Sequence, residues 1–101
     1  MIDPNFNEKV DTALIRISNF IRKTPLQHSP ILSALSGSEV YLKLENYQVT
    51  GSFKARGATN KLMLLSEHSQ QKIITASSGN HGSAVAFASA KLKLDVLIFL
   101  P

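Results

Sequence analysis

The stretch GSFKARGA, residues 51–58, places a lysine where a helix is expected to begin. Ser52 is a natural helix N-cap, so Lys54 falls in the first turn of that helix. The partial positive charge of a helix N-terminus and the nearby Arg56 both disfavour an ammonium ion there. A free amine is the nucleophile that forms a Schiff base with an aldehyde. The position therefore suits a carbonyl-binding lysine, although the stretch by itself favours the plainer interpretation of a solvated surface lysine.

A second candidate is the stretch SSGNHG, residues 77–82, which follows a short β-rich run and precedes a helix. Gly79 and Gly82 let backbone N–H groups approach a ligand, and a helix N-terminus favours negative charge. A carboxylate or a phosphate would suit this loop. A nucleotide site is poorly supported, because no Lys-Ser or Lys-Thr follows and the G-x-G-x-x-G spacing is absent. The alternative is an ordinary turn whose Asn80 tolerates left-handed geometry.

Other chemistries find little support in the residue types and their spacing. The 101 residues include no cysteine, which excludes disulfides and thiolate chemistry. His81 has no histidine or carboxylate at helix-ligand spacing, so we expect no metal site, and the isolated carboxylates of Glu45 and Asp95 do not support glycoside chemistry. Eleven basic residues against seven acidic ones give a net charge of +4. Because these charges are spread along the chain, nucleic-acid binding rests on charge alone.

The hydrophobic spacing divides the chain into alternating helices and strands. We predict helices over residues 6–21, 52–66 and 83–92, one helical turn over 31–35, and strands over 39–45, 72–76 and 96–100. A helix that connects two apolar strands predicts parallel pairing and an α/β fold covered by helices. The length allows at most one compact domain. Neither a signal peptide nor a membrane span is predicted, so we expect a cytoplasmic protein.

Four motifs in order, KTPL (23–26), LKLEN (42–46), GSFKARGA (51–58) and SSGNHG (77–82), resemble the pyridoxal-phosphate enzymes of fold type II. The nearest members in pattern are the threonine and serine dehydratases and serine racemase. The resemblance implies a parallel sheet with covering helices, the N-terminal part of the tryptophan synthase beta-like fold. Residues 1–50 would be the N-terminal segment of the large domain, and residues 51–101 part of the small cofactor-binding domain, a βαβ unit. The resemblance also favours a carbonyl-binding role for Lys54 over the interpretation of a solvated surface lysine.

The resemblance also implies roles for individual residues. Lys54 would hold pyridoxal 5'-phosphate as a Schiff base and then remove the α-proton of the substrate. Phe53 would pack beside the cofactor ring, and Asn80 would donate a hydrogen bond to its phenolic oxygen. The residues expected to bind the substrate carboxylate are Ser77, Ser78, Gly79, Asn80 and His81. Ser78 would also handle a proton on the face opposite Lys54, as in racemase-like members, so the catalytic residues would be Lys54 and Ser78.

The implied function is a threonine or serine ammonia-lyase that converts a β-hydroxy amino acid to a 2-oxo acid and ammonia. Serine racemase and another hydroxy-amino-acid dehydratase are alternatives within the family, and a truncated, inactive homologue that only folds or associates is a third. The chain has roughly a third of the family's usual length, and it lacks the glycine-rich loop that holds the cofactor phosphate. Lys93 stands where relatives usually have glycine. We expect an apolar strand at 96–100 to promote a homodimer, with no nucleic-acid or membrane partner.

Overall fold

A computed structural model describes residues 3–68 and 72–101 of the chain. Its elements are α1 (Phe6–Ile17), β1 (Leu26–His28), α2 (Pro30–Ser36), β2 (Tyr41–Lys43), a 3-10 turn (Glu45–Tyr47), α3 (Lys54–His68), β3 (Ile73–Ala76), α4 (Asn80–Leu92) and β4 (Val96–Phe99). The alternation of helices and strands confirms the predicted α/β class.

Strands β3 and β4 run parallel and are connected through α4, which confirms the predicted βαβ unit. In their register Ile73 lies opposite Val96, and burial alternates along both strands. Side chains on one face are half-buried beneath the helices, while on the other face Ile74, Leu97 and Phe99 are 58%, 40% and 55% exposed. Within the described residues, helices therefore cover one face of this sheet.

The core lies where α3 and α4 pack against each other and against the sheet. Leu62 from α3 meets Val85 and Ala88 from α4, and half-buried apolar side chains from β3 and β4 surround them. Ala55 and Ala84 are fully buried. Their small side chains let the two helices approach each other closely. The hydrophobic spacing of residues 52–66 predicts Phe53 and Leu62 on the buried side of the helix; Leu62 is buried, as predicted, but the prediction for Phe53 is wrong. Phe53 precedes the first residue of α3 and is 61% exposed.

The N-terminal part contains an antiparallel pair that hydrophobic spacing did not predict. Leu26 pairs with Lys43 and His28 with Tyr41, so β1 falls inside a stretch expected to be irregular. Only three residues of each strand pair, and the predicted strand over 39–45 shrinks to Tyr41–Lys43. Three residues are too few to show an alternating pattern, and their partner lies elsewhere in the chain.

Three helix ends differ from expectation. Helix α1 stops at Ile17 and continues as turns, in which the N–H of Phe20 donates to the Ile17 carbonyl oxygen at 2.9 Å. Helix α4 begins at Asn80, three residues earlier than predicted, so part of the SSGNHG loop forms its first turn. It ends with Lys93 in left-handed geometry, at φ 55° and ψ 42°. No helix in the described ranges is both long and apolar enough to cross a bilayer.

Candidate functional site

Lys54 is the first residue of α3, and a tight turn delivers the chain to it. Gly51 adopts φ 74°, a left-handed conformation that favours glycine, and its N–H donates to the Gln48 carbonyl oxygen at 2.8 Å. The hydroxyl of Ser52 accepts the backbone N–H of Lys54 at 3.4 Å, which is a capping contact of the predicted kind. The lysine therefore occupies the first helical turn, as the motif indicated.

The Lys54 side chain lines a cavity of about 390 Å³ between α3, β3 and α4. Its wall is largely apolar and includes Phe53, Leu65 and Ile74. The Lys54 ammonium nitrogen lies 5.2 Å from the centroid of the Phe53 ring. Among the described residues no carboxylate forms an ion pair with this amine. The cavity thus presents a primary amine beside an aromatic ring and an apolar wall.

His81 contributes to the same cavity from the first turn of α4. Its Nε2 lies 3.0 Å from the Thr75 hydroxyl oxygen at the end of β3, which fixes the imidazole against the sheet. No acidic residue occupies the first turn of α3 or of α4, and no carboxylate of residues 3–68 and 72–101 lines the cavity. The two positive helix ends and the basic side chains therefore favour an anionic ligand near the Lys54 amine.

Ser77, Ser78 and Gly79 lie outside this cavity and line a cleft of about 510 Å³ beyond the carboxyl ends of β3 and β4. The N–H of Ser77 donates to the Phe99 carbonyl oxygen at 3.0 Å, which extends the strand ladder by one bond. The Ser77 hydroxyl accepts the N–H of Gly79 at 3.2 Å. Asn80, the first residue of α4, is exposed. In this chain Lys54 and Ser78 therefore line different cavities.

Gly82 explains how the loop can fold so closely onto α4. A Cβ atom at this position would lie 2.5 Å from the Ser77 carbonyl oxygen, so any side chain would force the backbone to shift. Gly82 is buried under that carbonyl. The first-turn N–H groups of a helix have no partner within the helix, and the N-cap of α4, Gly79, has no side chain to accept them. The close approach at Gly82 packs the loop tightly against the start of α4.

An ion pair that sequence reasoning missed lies beside the Lys54 turn. The Glu45 carboxylate accepts hydrogen bonds from Arg56 Nε at 2.9 Å and from Arg56 Nη2 at 2.7 Å, and it also accepts the Thr24 hydroxyl. The Arg56 hydrogen bonds hold the pKa of Glu45 well below its usual 4.5, at about 2, against the opposing effect of burial. Glu45 is therefore not isolated. The two residues lie eleven positions apart across a turn, so no local spacing signals the pair.

Outside this cavity, His28 belongs to a further polar cluster. The His28 Nε2 lies 3.1 Å from the Ser33 hydroxyl oxygen and 3.4 Å from a Glu39 carboxylate oxygen. Because both partners approach the same ring nitrogen, the cluster cannot relay a proton as a Ser-His-acid triad does. In residues 3–68 and 72–101, no group of three or more His, Asp or Glu side chains gathers as metal ligands.

The chain is similar to known proteins of one family. Residues 17–101 match the family described as pyridoxal-phosphate dependent enzyme. The chain is 41% identical over 95 residues to the L-threonine ammonia-lyase of Thermotoga maritima and 44% identical over 93 residues to the biosynthetic L-threonine dehydratase of Staphylococcus epidermidis. The matches cover 93% and 91% of this chain but 24% and 22% of those proteins. The chain thus spans about a quarter of the length of these curated relatives.

Solved structures give the same result in three dimensions. The serine racemase of Dictyostelium discoideum superposes with a TM-score of 0.83 at 40% identity, covering 93% of this chain and 31% of that one. A pyridoxal 5'-phosphate-dependent aspartate racemase superposes with a TM-score of 0.84 at 39% identity, covering 94% and 31%. Because the family match extends over most of the sequence and the backbone follows these enzymes throughout, the chain belongs to the pyridoxal-phosphate-dependent enzymes of fold type II.

Proposed function

We propose that this chain is the corresponding part of a pyridoxal-phosphate-dependent threonine or serine ammonia-lyase, which yields a 2-oxo acid and ammonia. The observation that carries the proposal is the position of Lys54, a lysine without an ion-pair partner in the described structure, in the first turn of α3 against an apolar cavity. The identities of 41% and 44% to threonine ammonia-lyases support this substrate class. The domain assignment, with residues 51–101 in the small domain, belongs to the same proposal.

The residues around Lys54 fit the aldehyde and the ring of pyridoxal phosphate. An amine without a carboxylate partner is available for condensation with an aldehyde, and Phe53 and Ile74 offer apolar contact to an aromatic ring. In the part of the chain that the structure describes, Gly57 is the one glycine that lines the Lys54 cavity, so this wall offers no run of glycine amides to the cofactor phosphate. Residues 51–101 are therefore proposed to hold the reactive end of the cofactor.

Pyridoxal phosphate, when bound, supplies an aldehyde that captures amines and a ring that withdraws electrons from the substrate α-carbon. Lys54 would hold the cofactor through its ε-nitrogen, and the same nitrogen would accept the α-proton of the substrate. The cavity that Lys54 lines is largely apolar, and in the described residues no carboxylate forms an ion pair with its amine. Phe53, whose ring centroid lies 5.2 Å from the amine, restricts the space that it samples.

The loop before α4 is proposed to orient the substrate. Ser77, Ser78, Gly79, Asn80 and His81 would bind the substrate carboxylate through hydroxyls and the backbone N–H groups of the helix end. Asn80, exposed at the first position of α4, would donate to the phenolic oxygen of the cofactor. Gly82 supports this arrangement because it lets the loop lie directly on the helix. Loss of the β-hydroxyl as water, followed by hydrolysis, would then release the 2-oxo acid and ammonia.

Serine racemisation is the second candidate, and Ser78 favours it. A hydroxyl on the substrate face opposite Lys54 could return a proton to the α-carbon and invert its configuration. The similarity to solved racemase structures, at 39% and 40% identity, supports the same alternative. In a full-length enzyme that contains this chain, we expect Ser78→Ala to abolish racemisation and to leave ammonia release unchanged. Measuring D-serine and 2-oxo acid from the same L-serine reaction separates the two activities.

The role of Lys54 can be tested on the chain itself. Pyridoxal phosphate is added, the adducts are reduced with borohydride, and the modified lysines are located by peptide mass spectrometry. We expect one dominant adduct on Lys54, lost in Lys54→Ala and retained in Lys91→Ala. Lys91 is a matched control because its ammonium also lies near an aromatic ring, 6.0 Å from the Phe87 centroid. Labelling spread evenly over the eight lysines of the sequence would contradict the proposal.

A truncated, catalytically inactive homologue makes a different prediction. Such a chain would fold and associate, yet release no 2-oxo acid from L-threonine or L-serine when cofactor is added. Ammonia release from the purified chain would reject this alternative. The proposal also includes a cytoplasmic location and a homodimer, and size-exclusion chromatography with light scattering measures the second of these directly.

A further inference from the structure

The ion pair beside Lys54 forms part of a larger polar cluster, which we call the Glu45 clamp: Thr24, Glu45 and Arg56. Arg56 binds the Glu45 carboxylate through two nitrogens, and its Nη2 also lies 3.3 Å from the Thr24 hydroxyl oxygen. The Glu45 and Arg56 side chains are only 16% and 28% exposed, and Thr24 is 4% exposed. Two-point contact between a guanidinium and a carboxylate fixes direction as well as distance. The clamp is therefore a rigid connection between three separate segments.

A second set of hydrogen bonds holds the same segments together. The buried side-chain amide of Gln48 accepts the N–H of Arg22 and donates to the Arg22 carbonyl oxygen, both at 2.9 Å. Lys43 Nζ donates to the Thr24 carbonyl oxygen at 2.6 Å. The backbone before β1 is thereby bound to β2 and to the 3-10 turn. The clamp then attaches this unit to α3 through a single residue, Arg56.

The position of Arg56 determines what the clamp can control. Arg56 lies two residues after Lys54, in the same first turn of α3, and Glu45 lies on the other side of the intervening loop. The ion pair thus closes a loop that contains Phe53 and Lys54. In this loop Gly51 adopts φ 74°, and no strand pairing of the described residues crosses it. The hydrogen bond from the Lys54 N–H to the Ser52 hydroxyl, at 3.4 Å, is a weak restraint on the loop. Besides the 2.8 Å hydrogen bond from the Gly51 N–H to the Gln48 carbonyl oxygen, the clamp supplies a charged, two-point restraint on this turn.

We propose that the Glu45 clamp is a positioning device for Lys54, fixing the first turn of α3 relative to the β1–β2 unit so that one amine meets an incoming aldehyde. Glu45, Arg56 and Thr24 act through Lys54 and do not touch the ligand. The inference rests on the proposed role of Lys54 and names the residues that enforce it. Without the clamp the first turn of α3 frays, and Lys54 reacts like any solvated lysine.

The experiment compares Arg56→Lys, which keeps the charge and loses the two-point contact, with Glu45→Gln, which keeps the shape and loses the charge. Asp3→Asn is the matched control, because it removes the exposed ion pair between Asp3 and Lys9. Two measurements are made on each folded variant of the 101-residue chain. One is the share of borohydride-trapped pyridoxal phosphate on Lys54, and the other is amide hydrogen exchange at Gly57 and Ala58, whose N–H groups close the first turn of α3.

In both clamp variants we expect the share of Lys54 among the eight lysines of the original sequence to fall toward one in eight; label on the lysine that Arg56→Lys introduces is counted separately. We expect exchange at Gly57 and Ala58 to become about tenfold faster, while Ala84 and Ala88 stay protected and Asp3→Asn resembles the unchanged chain. An unchanged Lys54 share together with unchanged exchange in folded variants would overturn the proposal. If the unchanged chain shows no preference for labelling at Lys54, but exchange is faster in the clamp variants, the cofactor role of Lys54 is refuted and the clamp remains supported.

Discussion

Replacing Glu45 by glutamine should weaken the fold in a pH-dependent way. In the folded chain the Arg56 hydrogen bonds lower the pKa of Glu45 from 4.5 to about 2, so ionisation of Glu45 stabilises the folded state. Each unit of pKa corresponds to about 1.4 kcal/mol, so the charged carboxylate contributes about 3 kcal/mol to the free energy of unfolding at neutral pH. That is a large part of the roughly 5–15 kcal/mol that stabilises a small domain. The substitution also leaves the half-buried Arg56 guanidinium without a charged partner.

The direction with pH follows from the lowered pKa. A carboxylate whose pKa is lower in the folded chain stabilises fully above its unfolded pKa near 4.5, and this stability is lost as the pH falls toward about 2. The stability difference between the original chain and Glu45→Gln should therefore shrink from about 3 kcal/mol at pH 6 to about 1 kcal/mol at pH 3. Taking the difference between the two proteins cancels the titration of the other carboxylates.

Urea unfolding followed by circular dichroism at pH 6, 5, 4 and 3 measures this difference. The control is Asp3→Asn, since the Asp3–Lys9 pair is exposed to solvent and is expected to leave the free energy of unfolding unchanged. A Glu45→Gln protein as stable as the original at pH 6 would refute the reasoning. So would a stability difference that stays constant down to pH 3, because the loss would then come from packing and not from the charge.

Three further substitutions test other parts of the structure by urea unfolding at pH 7. Gly82→Ala should lower the free energy of unfolding by about 1–3 kcal/mol, because its Cβ would meet the Ser77 carbonyl oxygen; equal stability would show that the loop yields easily. Lys93→Gly should raise it by about 0.5–1 kcal/mol through relief of the left-handed conformation, whereas Lys91→Gly, inside the last turn of α4, should lower it by about 1 kcal/mol. Thr59→Val should be neutral or stabilising by up to about 1 kcal/mol, since the buried Thr59 hydroxyl has no hydrogen-bond partner, and a clear loss would reveal an interaction at that oxygen.

The βαβ unit could be predicted from the sequence because its signals are local. Apolar strands on both sides of an alanine-rich helix, with small residues between, identify β3, α4 and β4 without knowledge of distant partners. The departure at Lys93 was also visible beforehand, and the helix resolves it by placing a lysine at φ 55°. Glycine loops and caps act over a few residues, so the first-turn position of Lys54 could be inferred from Ser52 alone.

Features that depend on distant partners could not be predicted. Strand β1 exists because Leu26 meets Lys43, seventeen positions further on, and three residues alone show no periodicity. The Glu45–Arg56 pair has neither helical nor strand spacing, and its formation requires the turn that brings the two segments together. The shared cavity of Lys54 and His81 likewise arises from the packing of α3 against α4. Sequence spacing predicts the elements, while tertiary contacts assemble the site.

The outward row of Ile74, Leu97 and Phe99 leaves apolar surface exposed on one face of the sheet. Anything that covers these side chains in the folded state but not in the unfolded state shifts the folding equilibrium by mass action. If copies of the chain cover one another, the urea midpoint rises with concentration, and a detergent micelle or an apolar dye competes for the same row. Each stability difference given above is accordingly defined at one protein concentration shared by the original chain and its variants.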